Sequence, residues 1–331
     1  MKVFATIILL SVCINQLSSQ IDTSKLVWPA PPEQARITHL LTISSIQNFK
    51  HEGGFFSKIV GFIFGESHSQ QWLVQPVGIA ISPKHQIYIT DPGAKGIHIL
   101  DQDKEEYEFV NQTKFGSFLS PVGIAFSSDG STYISDSEHG DITVLNEDRK
   151  AQFQIKDHLL RPTGLLILND TLYVADAARH EIVLFDLKGK FLMNFGQRGE
   201  SSGNFNFPIA LAGENSLFVI DALNYRVQKF TTMGGFISAF GRQGGAPGSF
   251  ASPKGIALDS EHHIYVTDVL MDNFQIFNEE GQLLLVVGKK GDRDGQFMSP
   301  SGIAIDDKDR IYIVDMLNKR IQMFQYLKEN K

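Results

Sequence analysis

Residues 241–268 read Gly-Arg-Gln-Gly-Gly-Ala-Pro-Gly-Ser-Phe-Ala-Ser-Pro-Lys-Gly-Ile-Ala-Leu-Asp-Ser-Glu-His-His-Ile-Tyr-Val-Thr-Asp. A glycine-rich loop leads into Pro-x-Gly-Ile-Ala, and a β-branched run then ends on Tyr-x-x-Asp. Pro-x-Gly-Ile-Ala or a close variant recurs from Pro76, Pro121, Pro162, Pro208, Pro253 and Pro300, at spacings of 45, 41, 46, 45 and 47 residues. The aromatic-x-x-Asp marker travels with it, at Asp91, Asp136, Asp176, Asp221, Asp268 and Asp315. A constant period of this length marks a repeat array and displaces the two-domain reading that 331 residues would otherwise invite. Within a unit the apolar stretches, such as 302–305, 311–314 and 320–324 in the last copy and 189–195 in the third, are too short for helices and rich in β-branched residues. Four strands per unit predict an all-β fold, a six-bladed β-propeller of four-stranded antiparallel blades.

Each recurring position has a physical reason. Where six innermost strands converge on an axis, small residues belong: Gly78, Gly123, Gly164, Gly255 and Gly302, with Ala210 in the fourth copy. The proline begins that strand, where no ladder donor is lost. The aspartate ends the second strand, where its side chain caps the turn into the third. The last copy stops at Tyr326-Leu327, before a fourth strand. Residues 36–43 have strand composition and are expected to pair with 320–325 and close the ring, which removes the open edges. Blades therefore start at 76, 121, 162, 208, 253 and 300 of a single domain spanning 36–331. The insert 44–75 carries Phe55, Phe56, Ile59, Val60, Phe62, Ile63 and Phe64 mainly on one side, a short helix expected to pack on the propeller.

Upstream, Met1-Lys2 and an apolar run to Ile14 read as a signal peptide over 1–19, cleaved near Ser19-Gln20, with a Pro-rich tether over 20–35. The expected location is exported, periplasmic or extracellular. Leu10-Ser11-Val12-Cys13 also resembles a lipoprotein cleavage box, so lipidation at Cys13 and a membrane anchor is the alternative. No other segment is long enough for a transmembrane span. Apolar content of 42% excludes a disordered chain, and a net charge of -7 argues against a nucleic-acid partner. Cys13 is the only cysteine, so neither a disulfide nor a thiolate zinc site is available.

The loops Gly196-x-x-Gly199-x-x-x-Gly203-x-Phe205-x-x-Pro208, Gly241-x-x-Gly244-x-x-x-Gly248-x-Phe250-x-x-Pro253 and Gly288-x-x-Gly291-x-x-x-Gly295-x-Phe297-x-x-Pro300 keep one spacing. Followed by Gly-Ile-Ala, Tyr-x-x-Asp and Asn224-x-Arg226 or Asn318-x-Arg320, they resemble NHL repeats over about residues 76–327. The first three copies depart from the pattern, with Gly93-Ala94-Lys95 or His139-Gly140-Asp141 in place of Asn-x-Arg. The resemblance implies a six-bladed propeller that binds partners, of the exported bacterial type, and for a minority of relatives a metal-dependent lyase.

The chemistry visible in the sequence is thin. Glycine-rich loops that open strands are not phosphate cradles, which open helices. The peptide-amidating lyases among NHL relatives place histidines around the tunnel mouth, but Val77, Val122, Thr163, Ile209, Lys254 and Ser301 stand there. His85, His262 and His263 fall on the opposite face. His139 and His180, in turns of adjacent blades, are the remaining zinc option, and the aspartate series, as in six-bladed lactonases, the calcium one; no cofactor is the primary expectation. No Gly-x-Ser-x-Gly elbow is present.

Sorting charges by face gives an asymmetry. The face of the inter-blade linkers carries Arg198, Arg226, Arg242, Lys254, Lys289, Lys290, Arg293, Lys319 and Arg320, and the hairpin face carries acids such as Glu147, Glu279, Asp306 and Asp307. The expectation is a monomeric, non-enzymatic binding module that takes a protein, peptide or glycan ligand on its linker face, with a tunnel metal lyase or hydrolase as the alternative.

Overall fold

The computed structural model describes residues 26–46 and 72–328. Six antiparallel sheets surround one axis. Blade 1 comprises Gly78–Ile81, Ile87–Asp91, Gly96–Asp101 and Glu106–Val110. Blade 2 comprises Pro121–Phe126, Thr132–Asp136, Asp141–Leu145 and Ala151–Ile155. Blade 3 is Pro162–Leu168, Thr171–Asp176, Glu181–Asp186 and Phe191–Phe195. Blade 4 is Pro208–Gly213, Leu217–Asp221, Arg226–Phe230 and Phe236–Phe240. Blade 5 follows as Pro253–Leu258, Ile264–Asp268, Asn273–Phe277 and Leu283–Val287.

Blade 6 takes three strands from the C-terminal end, Pro300–Ile305, Arg310–Asp315 and Arg320–Tyr326, and its fourth, Ile37–Ile43, from the other end of the chain. Ile37 lies opposite Tyr326 and Ile43 opposite Ile321, with a bulge between His39 and Leu41. The described part of the Pro-rich stretch is more than a tether. Val27–Trp28 adds a fifth strand outside Ile37–Ile43, and Trp28 packs edge-on against Phe324 with ring centres 5.8 Å apart. The helix expected in the insert falls mostly on residues 47–71, and the signal peptide and Cys13 on 1–25, outside the described residues. The flanks of the insert are seated: Ile46, Trp72 and Leu73 are buried with Ile43, Ile79 and Ile321 between blades 6 and 1.

The core is six apolar layers, one between each pair of adjacent blades, and not a single central mass. The second and third strands therefore face protein on both sides and are buried almost throughout, whereas the outermost strands are half exposed. At the axis the inner backbones nearly touch. A Cβ on Gly123 would stand 1.9 Å from Thr163 O and one on Gly78 2.2 Å from Val122 O, so any side chain there would push the neighbouring blade outward.

Hydroxyls stitch these strands together. Thr90, Ser135 and Thr267, each just before its strand-ending aspartate, donate to the next blade at Val122 O (2.7 Å), Thr163 O (2.6 Å) and Ser301 O (2.5 Å). Blades 3 and 6 have Ala175 and Val314 at that place, and the hydroxyl moves to the inner strand: Thr163 donates to Ala175 O of its own blade at 3.0 Å and to Pro208 O of blade 4 at 3.5 Å, and Ser301 donates to Val77 O at 3.0 Å. Blade 4 has Ile209 and Ile220 at the two places, so its seam with blade 5 has neither hydroxyl.

Candidate functional site

The linker face is built on the six strand-ending aspartates, all fully buried. Asp136 is representative. Its Oδ1 accepts N–H groups from Glu138 and His139 in the turn that follows, and its two oxygens accept those of Leu119 (2.7 Å) and Ser120 (3.0 Å) in the linker that precedes the blade. The turn cap read from the sequence is present, and the same carboxylate also fastens the linker. The linker tie recurs at Asp91, Asp176, Asp221, Asp268 and Asp315. The series therefore fastens loops, its oxygens accepting N–H groups from the turns and linkers of the face.

In blades 4, 5 and 6 the preceding linker folds back on itself. Gly196, Gly241 and Gly288 adopt φ of 89°, 90° and 94°, and a Cβ on any of them would collide with the ring of Phe205, Phe250 or Phe297. Those three phenylalanines are fully buried. Buried Gln228, Gln275 and Gln322, which the motif search passed over, accept the N–H of Gly203, Gly248 and Gly295 and donate to linker carbonyls. They stand two residues beyond Arg226, Asn273 and Arg320, a spacing that was open to inspection.

The predicted cations separate into two groups. Arg226 and Arg320 are structural. Arg226 Nε lies 2.8 Å from Asp221 and its terminal nitrogen donates to Ser201 O and Asn204 O; Arg320 Nε lies 2.7 Å from Asp315 and the guanidinium donates to three linker carbonyls. Their placement corrects the expectation that they present charge to a ligand. Arg198, Arg242, Lys289, Lys290 and Arg293 are exposed and form no ion pair among the described residues. Lys319 is half-buried beside them. Lys254 sits half-buried at the mouth of the tunnel, where burial and then the charge of Arg161 hold its amine below the usual lysine range.

Leucines stand among these cations. Leu223, Leu270 and Leu317 occupy one position, two residues after the strand-ending aspartate, in blades 4, 5 and 6, and are 53%, 70% and 56% exposed. Their repetition on three adjacent blades gives a basic and apolar sector, with Glu200, Asp292 and Asp294 as its exposed acids. By contrast several hairpin-face acids are paired locally, as in Lys84–Glu147 (2.6 Å), Lys229–Glu279 (2.9 Å) and Arg310–Asp306 (2.6 Å).

The axis holds a cavity of about 530 Å³ bounded by the distal halves of inner strands from all six blades, so it lies towards the hairpin face. Its lining mixes apolar side chains, Ile79, Ile124, Leu165, Leu211, Ile256 and Ile305 among them, with a comparable share of polar surface. Polar chemistry gathers at its rim, where ligand atoms of His85, Asp306 and Asp307 lie within 4.8 Å of one another. Asp306 is already bonded to Arg310 Nε and Tyr312 OH, which leaves His85 and Asp307, 3.7 Å apart, as the less committed pair. His139 contacts Asp136 at 3.2 Å, and His180 accepts the Phe207 N–H at 3.1 Å. The blade 1 residues in register with Asn224-x-Arg226 are Ala94-Lys95-Gly96, since Gly96 pairs with Asp91 as Arg226 does with Asp221, one place on from the sequence assignment.

The profile of a family described as 6-bladed beta-propeller matches residues 260–329. Solved structures of several functions share the fold. An auxiliary nutrient binding protein from Bacteroides thetaiotaomicron superposes with a TM-score of 0.62 at 13% identity, covering 77% of this chain and 70% of that one. A gluconolactonase from Xanthomonas campestris gives 0.58 at 15% identity, covering 77% and 87%. Virginiamycin B lyase from Staphylococcus aureus gives 0.57 at 14% identity, covering 78% and 97%. At such identities the likeness is one of fold, and folds of this kind host unrelated chemistries.

Proposed function

We propose that the chain is an exported NHL-type propeller that acts as a binding module, taking an acidic, leucine-compatible peptide segment of a partner protein on the linker face of blades 4 to 6. The observation that carries this reading is the threefold recurrence of exposed Leu223, Leu270 and Leu317 among Arg198, Arg242, Lys289, Lys290 and Arg293. Leucines more exposed than buried at one position of three neighbouring blades leave apolar surface available, and cations without ion pairs keep their charge available for carboxylates. The sector is rigid, because linker, phenylalanine and glutamine are locked together beneath it, so little ordering is needed on binding.

The test is fluorescence anisotropy with labelled peptides that alternate leucine with glutamate. Arg242→Glu with Lys289→Glu, and separately Leu270→Ser with Leu317→Ser, are each expected to weaken binding by about tenfold or more. Equal affinity in all three proteins would refute the reading. The second reading, a metal-dependent lyase or hydrolase, draws on the rim cluster of His85, Asp306 and Asp307 above the axial cavity. Stoichiometric zinc or calcium in the purified protein, lost in His85→Ala, would favour it.

A further inference from the structure

Five residues after each strand-ending aspartate stands the first residue of the third strand: Gly96, Asp141, Glu181, Arg226, Asn273 and Arg320 in blades 1 to 6. In blades 4 and 6 this place holds a guanidinium, seated between the aspartate and the linker carbonyls. Blade 3 has an acid there, Glu181, and supplies the guanidinium from Arg179, whose Nε bonds Glu181 Oε1, while Asn194 donates to the other oxygen at 2.6 Å. Blade 2 also has an acid, Asp141, with Gln154 donating to Oδ2 at 3.1 Å as Asn194 does to Glu181. The residue that matches Arg179, however, is His139, and its ring is turned to Asp136.

The consequence is a hole. A pocket of about 80 Å³ opens between blade 2 and the linker ribbon Gln112–Thr113 and Gly116–Ser117, bounded by Phe115, Phe118, His139, Asp141, Thr143 and Gln154, with Lys156 at its edge. Asp141 is 5% exposed, and its Oδ1 has no hydrogen-bond partner among the described residues. An unpartnered carboxylate oxygen held away from solvent is costly unless a donor arrives. Asp136, fully buried, adds a second negative charge nearby, and the amine of Lys156, itself exposed, comes no closer to Asp141 than 4.0 Å.

We propose that the blade 2 pocket is a receptor for the guanidinium of an arginine side chain presented by a partner, which pairs with Asp141 as Arg179 pairs with Glu181 in blade 3, at the strand position where blades 4 and 6 carry Arg226 and Arg320. The planar group offers its forked N–H donors to Asp141 Oδ1 and to ribbon carbonyls and lays its face near Phe115 and Phe118. This pocket lies across the ring from the basic sector of blades 4 to 6, and the inference stands without that reading.

The probe is the peptide acetyl-Gly-Arg-Gly-amide, followed by amide chemical shifts of the protein. Saturable shifts at Gly116, Ser117 and Phe118 are expected, with the citrulline analogue, which lacks the charge, about tenfold weaker or worse. Asp141→Asn is expected to weaken the arginine peptide by about tenfold, and Lys156→Ala to tighten it by removing a competing cation. Asp141→Arg, which restores the internal guanidinium, is expected to abolish binding while the unfolding midpoint stays the same or rises. That outcome separates an occupied pocket from an unfolded protein. No saturable shift, equal binding of arginine and citrulline peptides, or equal binding to Asp141→Asn would overturn the proposal. A lysine peptide as tight as the arginine one, or a calcium or magnesium ion binding through Asp141 in its place, would overturn the assignment to guanidinium.

Discussion

At the scale of the residue, Asp141 carries a measurable consequence of its setting. Its carboxyl is pushed above the usual carboxylate range, first by burial and then by the charge of Asp136, against the opposing pull of His139 and Lys156. A folded-state value above the unfolded one means that the native protein holds this proton more tightly than the unfolded chain. The stabilisation it gives is complete below the ordinary aspartate value of about 3.9 and is lost as pH rises through the raised value. Asparagine keeps the acceptor for Gln154 and has no proton to lose. Thermal melts of wild type and Asp141→Asn should therefore coincide near the acid end and separate towards neutrality, with the variant melting higher at pH 7. A variant less stable at pH 7 would show that the carboxylate is a net stabiliser and has a partner.

At the scale of the element, the linker of blades 4 to 6 is the unit that both builds the face and limits what sequence can reveal. Phe250 is fully buried against Phe277, under Gly241, and its backbone bonds Arg242 O and Gly244 N. Truncation to alanine removes a ring from a site whose walls are held by two backbone bridges and so collapses poorly. The expected loss is about 3–5 kcal/mol of stability, read by urea unfolding, with a parallel fall in peptide affinity as the sector above it loosens. The repeat period, the closing strand and the aspartate turns were all legible in the sequence, because each depends on local spacing and on residue types with one dominant backbone preference. The fates of Arg226 and Arg320 were not. A surface arginine and one clamped over a buried aspartate have the same local sequence, and only the fold-back of the linker brings Ser201, Asn204, Arg293 and Gln296 over them. His98 was hidden for the same reason. It stands in the register of Gln228 and Gln322, buried with Nε2 3.4 Å from Asp91 and Nδ1 2.9 Å from Tyr107, and its role emerges only when blades are superposed. The blade 2 pocket required one step more, since it is defined by a guanidinium that three other blades supply.

At the scale of the whole molecule, the ring is a closed object only because Ile37–Ile43 and Arg320–Tyr326 come from opposite ends of the described chain. Without the first, the backbone of Ile321 to Tyr326 presents an unpaired edge, and Ile43 leaves the layer between blades 6 and 1. Such an edge is a template for another chain. Removal of residues 1–45 should thus add concentration-dependent association, absent from the full chain, in sedimentation velocity, and lower the cooperativity of unfolding, since blades 1 and 6 lose a shared wall. A synthetic peptide of residues 26–46 supplied in trans should reverse that association by refilling the same register, with Trp28 returning to Phe324 and Gly295. Scrambling that peptide keeps its composition and removes the placement of Ile37 in the layer between blades 5 and 6 and of Ile43 in that between blades 6 and 1, so it should fail. A shortened chain with the association state and melting midpoint of the full chain would mean that the five complete blades hold the sixth without its closing strand, and that this strand is not what locks the ring.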